Sequence, residues 1–131
     1  MSDGVVVAAA IVRAGRVLAA RRSAPADLAG RWEFPGGKLE PGESEAGALA
    51  RECREELGVQ IAVGPLIAEG PIHPRLVLRL YAAAVVSGEP GPLQDHAELR
   101  WLATADLDAL DWLPADRSLL ASVRPLLVAA G

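Results

Sequence analysis

The sequence is poor in several features that would place it in a specialised class. It has one cysteine, Cys53, and therefore cannot form an intrachain disulfide, which favours a reducing compartment. Basic residues are not in excess, and the formal net charge of −4 gives no general attraction to nucleic acid polymers or anionic membranes. The longest early apolar run, residues 5–12, is too short to cross a bilayer and follows Asp3 rather than a basic segment. We therefore expect a cytoplasmic protein with neither a membrane nor a nucleic acid polymer as partner.

The material that is present is that of an ordinary folded domain. Of the 131 residues, 51% are hydrophobic and 23% are charged, which excludes a disordered chain. This length suits one hydrophobic core, so we expect a single domain over residues 1–131. Because the net charge is negative, a polyanionic ligand would need local cations, either a few Arg or Lys side chains or a metal ion.

The first half of the chain predicts a hairpin, a loop and a helix. Two β-type runs, residues 5–12 and 17–20, are joined by Ala14-Gly15, and a short strand is predicted over 31–34. Residues 35–43 are rich in Gly and Pro and predict an irregular loop. Ser44 and Gly58 are a good N-cap and a good C-terminal stop for the helix between them.

The second half predicts further strands and two short helical segments. Strands are expected over residues 60–68, 76–86 and 98–102, with a Gly-Pro-rich turn between the first two. Thr104 is expected to cap a helical turn that runs to Leu110. Asp116 is expected to cap a final helix that Pro125 bends or ends. This order favours an α/β fold with a mixed β-sheet between helices.

The helix between Ser44 and Gly58 carries an apolar stripe and a neighbouring row of glutamates. At about 100° per residue, the stripe contains Ala46, Ala50, Cys53 and Leu57, flanked by Leu49. Glu52, Glu55 and Glu56 stand at i, i+3 and i+4 beside it, so they repel one another and at least one is expected to be partly desolvated. A hard divalent cation such as Mg²⁺, which prefers carboxylate oxygens, would relieve that repulsion. The alternative is a solvated helix face on which Arg51 and Arg54 pair with the glutamates.

The loop before the helix favours the metal-binding alternative. From Gly37 to Val59 the sequence reads Gly37, five residues, Glu43, seven residues, then Arg51-Glu52-Cys53-Arg54-Glu55-Glu56-Leu57-Gly58-Val59. This pattern of 23 consecutive residues resembles the Nudix box of the Nudix hydrolase family. The one departure is Cys53, where the family usually has Ile, Leu or Val; a small apolar thiol can serve the same packing role.

The resemblance implies a fold, a cofactor and a set of site residues. The implied fold is the Nudix α/β/α sandwich around a mixed sheet, and the implied cofactor is Mg²⁺, with Mn²⁺ as a substitute. Glu52, Glu55 and Glu56 would be metal ligands and catalytic residues, together with the backbone carbonyl of Gly36. The supporting residues would be Gly37, Glu43 and Arg51. The general base would be Glu52 or a carboxylate outside the helix.

Several further segments resemble the MutT-like subgroup of the same family: residues 20–22, 32–38, Trp101 and 114–116. This likeness implies a pyrophosphohydrolase of nucleoside triphosphates that releases a nucleoside monophosphate and pyrophosphate and serves nucleotide-pool sanitation. The partner would be a small nucleotide, and the protein a monomer or homodimer. Alternatives are a nucleotide-sugar or dinucleotide hydrolase, a non-catalytic nucleotide-binding module, or a purely structural domain.

Four residues are predicted to bind the substrate. Arg22 would clamp the triphosphate through its guanidinium, or serve only as a charge at a strand end. Lys38 would contact phosphate or stay in solvent, and Phe34 would stack on the base or fill the core. Asp116 would read the base edge, with a plain helix cap as the alternative. Arg75 or Arg79 could also reach the nucleotide.

Asp95 stands six residues before Trp101, where MutT-like relatives have a catalytic Glu that joins the metal site. The chain has the shorter Asp there, so the role is carried over as a candidate only. His96 is more typical of a loop histidine with a local hydrogen bond than of a catalytic base. Pro114-Ala115-Asp116 resembles the relatives that act on cytosine nucleotides, so cytosine triphosphates are the first expected substrates and 8-oxo-dGTP the second.

Overall fold

The computed structural model describes residues 4–128. The chain begins with the predicted hairpin, in which β1 (Gly4–Arg13) turns through Ala14 and Gly15 into β2 (Arg16–Arg22). Both turn residues have positive φ, 52° and 76°, which suits a tight hairpin turn. The two strands pair only near the turn, at Val12↔Val17 and Arg13↔Arg16.

Beyond that point β1 and β2 take different partners, and the next segment of chain lies between them. Strand β3 (Trp32–Glu33) pairs with the far end of β2, whereas β4 (Gly36–Lys38) pairs antiparallel with β1. The prediction of an irregular loop over 35–43 was therefore wrong for β4. The reason is tertiary, because the separation of β1 from β2 leaves backbone groups of β1 that β4 satisfies.

The remaining strands complete a seven-stranded mixed sheet. Strand β5 (Gln60–His73) pairs antiparallel with β6 (Leu76–Ser87), β6 runs parallel to β1, and β7 (His96–Leu102) pairs antiparallel with β2. The predicted Gly-Pro-rich turn belongs to β5 instead, which extends five residues past the expected end. As an edge strand with several register shifts, β5 tolerates its prolines.

Helix α1 (Glu45–Leu57) begins and ends as predicted. Ser44 Oγ accepts a hydrogen bond from the Gly47 N–H, and Gly58 closes the helix in the left-handed conformation. The buried face differs from the predicted stripe. Ala46 is exposed, and the helix is turned so that Glu56 is buried together with the residues that pack on the sheet: Ala48, Leu49, Cys53 and Leu57.

The C-terminal part contains a 3₁₀ helix (Thr104–Ala109), α2 (Pro114–Arg117) and α3 (Leu120–Val128). Two predicted caps were wrong. The N-cap of the 3₁₀ helix is Ala103, whose N–H donates to Asp106, and Asp116 lies inside α2, where its side chain accepts a hydrogen bond from another part of the chain. Pro125 does not end α3, because Leu120, Val123 and Leu127 hold that helix on the core.

The sheet is covered on both faces, which gives the expected layers. One core lies between the sheet and α1 and contains Leu18, Leu49, Cys53 and Leu57. The other lies under α2, α3 and the 3₁₀ helix and contains Phe34, Leu80, Trp112 and Val123. Among residues 4–128, no helix is long and apolar enough to cross a membrane.

Candidate functional site

A small polar pocket lies where β4 meets α1 and the start of β7. Its volume is about 180 Å³, and it is lined by Arg22, Gly36, Glu52, Glu56, Gln94, Asp95 and His96. The separation of β1 from β2 creates this place, because residues 33–38 cross from one strand to the other directly beside the glutamate helix. The structure thus brings together five residues that the sequence singled out for catalysis or binding: Arg22, Gly36, Glu52, Glu56 and Asp95.

Two glycines permit the close approach of α1 to β4. A Cβ atom on Gly36 would stand 1.9 Å from the Val7 carbonyl oxygen, and one on Gly37 would stand 2.5 Å from the Glu52 carboxyl group. Either contact is far below van der Waals distance. Only glycine at both positions therefore allows β4 to pair with β1 while Glu52 lies against it.

Glu56 is the one glutamate of the helix that is fully buried, with 5% of its surface exposed. Burial, and next a hydrogen bond with Glu52, raise the pKa of Glu56 far above its ordinary value. Its Oε1 atom has no hydrogen-bond partner within residues 4–128. A buried carboxyl group with an unused oxygen, next to a second carboxylate, is a costly arrangement unless a ligand completes it.

Arg51, which does not line the pocket, binds three carboxylates around it: Glu43, Glu52 and Glu55. Its guanidinium makes two hydrogen bonds to Glu43, at 2.7 and 2.9 Å, and further ones to Glu52 at 2.7 Å and Glu55 at 3.1 Å. The bidentate contact with Arg51 lowers the pKa of Glu43 to about 2. Its Nη2 group also donates to the Lys38 carbonyl at 3.1 Å, so Arg51 links α1 to β4.

The structure does not place all three predicted metal ligands in the pocket. Glu52 and Glu56 line it with Gly36, whereas the Glu55 side chain is 42% exposed and turned toward Arg51. Within residues 4–128, no three His, Cys, Asp or Glu side chains already converge at ligand distances. The residues nevertheless fit a hard divalent cation, because Gly36, Glu52 and Glu56 line one small cavity, and the buried Oε1 of Glu56 has no hydrogen-bond partner within the described residues.

Cys53 is on the core side of α1 and away from the pocket. It is fully buried, and burial, with smaller effects of Glu56 and Glu52, raises the pKa of its thiol to about 12. A thiol in that state is a packing group and not a nucleophile.

The sequence analysis missed Glu33 and undervalued His96, although His96 lines the polar pocket and Glu33 contacts two of the residues that line it. Glu33 Oε2 accepts a hydrogen bond from Arg22 Nη1 at 2.9 Å and lies 2.7 Å from His96 Nε2. His96 was expected to be a loop residue but begins β7, and its side chain is 3% exposed. The available signal was the alternation in Trp32-Glu33-Phe34, which places Glu33 on the face opposite two aromatic residues.

Asp95 lines the pocket at its surface, with a 67% exposed side chain that is 4.0 Å from Arg22.

A second, mostly apolar pocket adjoins the first. Its volume is about 300 Å³, and Gly36 lines both cavities. Its walls include Leu28, Phe34, Ile72, Leu78 and Asp116. Phe34 is buried, and its ring lies 4.8 Å from that of Trp112, so it serves the core as well as the pocket wall.

Asp116 is the buried carboxyl group of this apolar pocket, whose wall also contains Glu33. Its Oδ2 atom accepts a hydrogen bond from the Phe34 N–H at 2.9 Å. Burial raises the pKa of Asp116 to about 7, with the Phe34 hydrogen bond opposing that shift. A mostly apolar cavity with an adaptable carboxyl group in its wall suits the flat face and hydrogen-bonding edge of a nucleobase.

Lys38 and the two candidate arginines lie elsewhere. Lys38 lines a separate open cleft of about 540 Å³ together with His73 and Arg75, and not the polar pocket. Arg79 forms ion pairs with Glu45 at 2.7 Å and Glu69 at 2.6 Å, which tie β6 to α1 and β5. The polar pocket therefore takes its guanidinium from Arg22.

The chain was compared with known families, relatives and structures. The NUDIX domain model matches residues 3–123. The Mycobacterium tuberculosis protein named "Putative 8-oxo-dGTP diphosphatase 2" is 45% identical over 94% of this chain and 89% of its own length. The CTP pyrophosphohydrolase of Escherichia coli is 44% identical over 88% and 87%. A crystal structure of a MutT NUDIX hydrolase from Burkholderia pseudomallei superposes with a TM-score of 0.81 at 35% identity, covering 92% of this chain and 97% of that one.

Gly37→Ala tests the close approach of β4 and α1. The added methyl group would stand 2.5 Å from the Glu52 carboxyl group and must displace it. We expect Mn²⁺ affinity, measured by electron paramagnetic resonance without nucleotide, to fall by roughly 10-fold or more, as for other disturbed metal sites. Gly91→Ala is the control, since a Cβ there meets nothing within 4 Å. Equal Mn²⁺ affinity in both variants would contradict this interpretation.

Proposed function

Because the chain belongs to the Nudix family of hydrolases, we propose that it is a Mg²⁺-dependent, MutT-like pyrophosphohydrolase of nucleoside triphosphates. It would convert a (deoxy)nucleoside triphosphate to the monophosphate and pyrophosphate. The observation that carries the proposal is the junction of two pockets at Gly36, one polar and rich in carboxylates, the other mostly apolar with Glu33 and Asp116 in its wall. A triphosphate fits the first and a base the second, so one nucleotide would occupy both.

The polar pocket would hold the metal and the phosphates. Its proposed ligands are the Gly36 carbonyl, Glu52 and Glu56, with Glu55 joining after it leaves Arg51. When bound, Mg²⁺ supplies charge neutralisation at the phosphates and lowers the pKa of a coordinated water. The unused Oε1 of Glu56 supports this assignment, since a cation would occupy an oxygen that has no other partner within residues 4–128.

The protein's own side chains would orient the phosphates and take the proton of the attacking water. Arg22 is held at the pocket by Glu33 and the Ala24 carbonyl, and its remaining N–H groups can bind phosphate oxygens. Glu52, which lines the pocket beside Glu56, is the proposed general base. Asp95, exposed at the pocket surface, is the outside carboxylate that could share this role.

The apolar pocket would select the base through Asp116. An ionised carboxylate only accepts hydrogen bonds, whereas a protonated one also donates. The paired N–H donors of guanine and 8-oxoguanine suit an ionised Asp116, and the N4 donor and N3 acceptor of cytosine suit a protonated one. With a pKa of about 7, Asp116 has access to both states near neutrality.

The names of two relatives refer to 8-oxo-dGTP and to CTP, which are the two kinds of base considered for Asp116. We place cytosine triphosphates first and 8-oxo-dGTP second, and we assign the protein to nucleotide-pool sanitation. Lys38, which lies in a different cleft, is not needed for either substrate.

The reaction itself is tested with CTP, dCTP, 5-methyl-dCTP and 8-oxo-dGTP, with products separated by ion-exchange chromatography. We expect the monophosphate and pyrophosphate as first products, formed only with Mg²⁺ or Mn²⁺. Glu56→Gln should lower kcat by on the order of 10²–10⁴, comparable to losing an electrostatic catalytic group worth about 3–5 kcal/mol. The melting temperature without metal should change little, since burial already favours the neutral, protonated form of Glu56 and Gln has nearly the same shape.

Glu89→Gln is the matched control, because Glu89 is exposed and pairs only with Arg13 among the described residues. Orthophosphate as the first product, or full activity in excess chelator, would refute the proposed reaction. A Glu56→Gln protein that unfolds while its folded fraction keeps normal specific activity would show that the helix is structural.

Base selection is tested by the pH dependence of kcat/KM. With cytosine nucleotides, kcat/KM should fall as the pH rises through about 7, because Asp116 loses the proton that it donates. With 8-oxo-dGTP it should rise over the same interval. Asp116→Ala should lower kcat/KM for the preferred base by about 10–200-fold, roughly 1–3 kcal/mol, and should remove the difference between the two profiles.

Asp27→Ala, a change at an exposed position, is the control and should leave both profiles unchanged. Equal loss for every nucleotide, or a lower melting temperature alone, would mean that another group reads the base.

A further inference from the structure

One carboxylate oxygen of Glu33 contacts both Arg22, the proposed phosphate-binding residue, and His96, which lies near the proposed metal ligand Glu56. Glu33 Oε2 accepts the hydrogen bond from Arg22 Nη1 at 2.9 Å and lies 2.7 Å from His96 Nε2, which donates to it. Arg22 comes from β2, Glu33 from β3 and His96 from β7. A single atom therefore fixes the distance between side chains from three strands.

The other ring nitrogen of His96 faces Glu56 of helix α1. His96 Nδ1 lies 3.6 Å from Glu56 Oε1, and neither atom has a hydrogen-bond partner within residues 4–128. Both side chains are almost completely buried, at 3% and 7% exposed. His96 therefore stands beside the carboxyl group proposed as a metal ligand, at a distance slightly longer than a hydrogen bond.

We propose that Glu33 is a positioning residue that acts through both neighbours at once. It holds Arg22 at the wall proposed to bind phosphate and keeps the His96 ring beside Glu56, and so sets the spacing between the triphosphate and the metal ligands. The part of this inference that concerns Arg22 rests on the proposed function, because it assumes that Arg22 binds phosphate. The part that concerns His96 involves only the geometry of Glu56.

Both neighbours need such a restraint. Arg22 has a long side chain whose other anchor is the Ala24 carbonyl, which Nε contacts at 2.9 Å. Asp95, at 4.0 Å from Nη2, is too far for a hydrogen bond. For His96, the acceptor at one ring nitrogen fixes the ring plane and thereby the direction of the other nitrogen.

A second arginine–glutamate pair between neighbouring strands provides a control, because it contacts neither His96 nor the polar pocket. Arg21, next to Arg22 on β2, donates to Glu98 of β7 at 3.1 Å. That pair is more exposed, at 37% and 36%, and neither residue lines the polar pocket. Glu98→Gln therefore removes a comparable carboxylate that also accepts a hydrogen bond from an arginine of β2, without touching either pocket.

The experiment compares Glu33→Gln, His96→Phe, their double variant and Glu98→Gln in the full chain. Two independent quantities are measured: the Kd for Mn²⁺ without nucleotide, by electron paramagnetic resonance, and kcat and KM for the preferred triphosphate. Melting temperatures identify variants that are merely unfolded. Gln was chosen for Glu33 because it keeps the size of the side chain and one acceptor oxygen.

We expect Glu33→Gln and His96→Phe each to weaken Mn²⁺ binding by about 10–100-fold, the usual effect of losing a residue that orients a metal ligand. Because both act on Glu56 through one contact, the double variant should bind Mn²⁺ no more weakly than His96→Phe alone. Glu33→Gln should also raise KM through Arg22, which His96→Phe should not. Glu98→Gln should match the wild type within about 2-fold.

Losses of Mn²⁺ affinity that multiply in the double variant would overturn the proposal. So would a Glu33→Gln protein that melts earlier while its Mn²⁺ affinity and kinetic constants are those of the wild type, since Glu33 would then be structural. If the wild type binds Mn²⁺ but hydrolyses no triphosphate, the proposed function fails. The Mn²⁺ measurements then still decide whether Glu33 positions Glu56.

Discussion

The close contact between helix α1 and strand β4 determines the geometry of the rest of the site. With no Cβ on Gly36 or Gly37, β4 can pair with β1 while α1 presses the Glu52 carboxyl group against it. In that arrangement Glu56 is buried, its pKa is raised, and its Oε1 atom has no hydrogen-bond partner within residues 4–128. Arg51 offsets the remaining negative charge from outside, by binding Glu43, Glu52 and Glu55.

The position of both pockets follows from the separation of β1 and β2. Residues 33–38 cross the gap, and alternate positions along them serve different purposes. Glu33 organises Arg22 and His96, Phe34 closes the apolar core and offers its N–H to Asp116, and Gly36 borders both cavities. A short segment thus connects a place suited to phosphates with a place suited to a base.

Much of this was predictable from the sequence, and the failures have physical causes. Local signals were sufficient for the hairpin turn, for α1 with its Ser44 and Gly58 caps, and for the mixed sheet, which the structure confirms. Strand β4 and the end of β5 were missed because pairing with distant strands overrode Gly and Pro. Glu33 was missed, and His96 was expected to be a loop histidine, because their contact spans 63 residues and exists only after β3 and β7 have both paired with β2. The site roles of Glu52, Glu55 and Glu56 remain proposals.

The position of the bound metal is the most direct test of the account. Anomalous X-ray scattering from crystals soaked in Mn²⁺ would locate the ion without reference to activity. The account predicts a peak in the polar pocket, about 2.0–2.3 Å from the Gly36 carbonyl oxygen and from carboxylate oxygens of Glu52 and Glu56. A peak found only at exposed acidic side chains such as Glu89, with the pocket empty at saturating Mn²⁺, would contradict it.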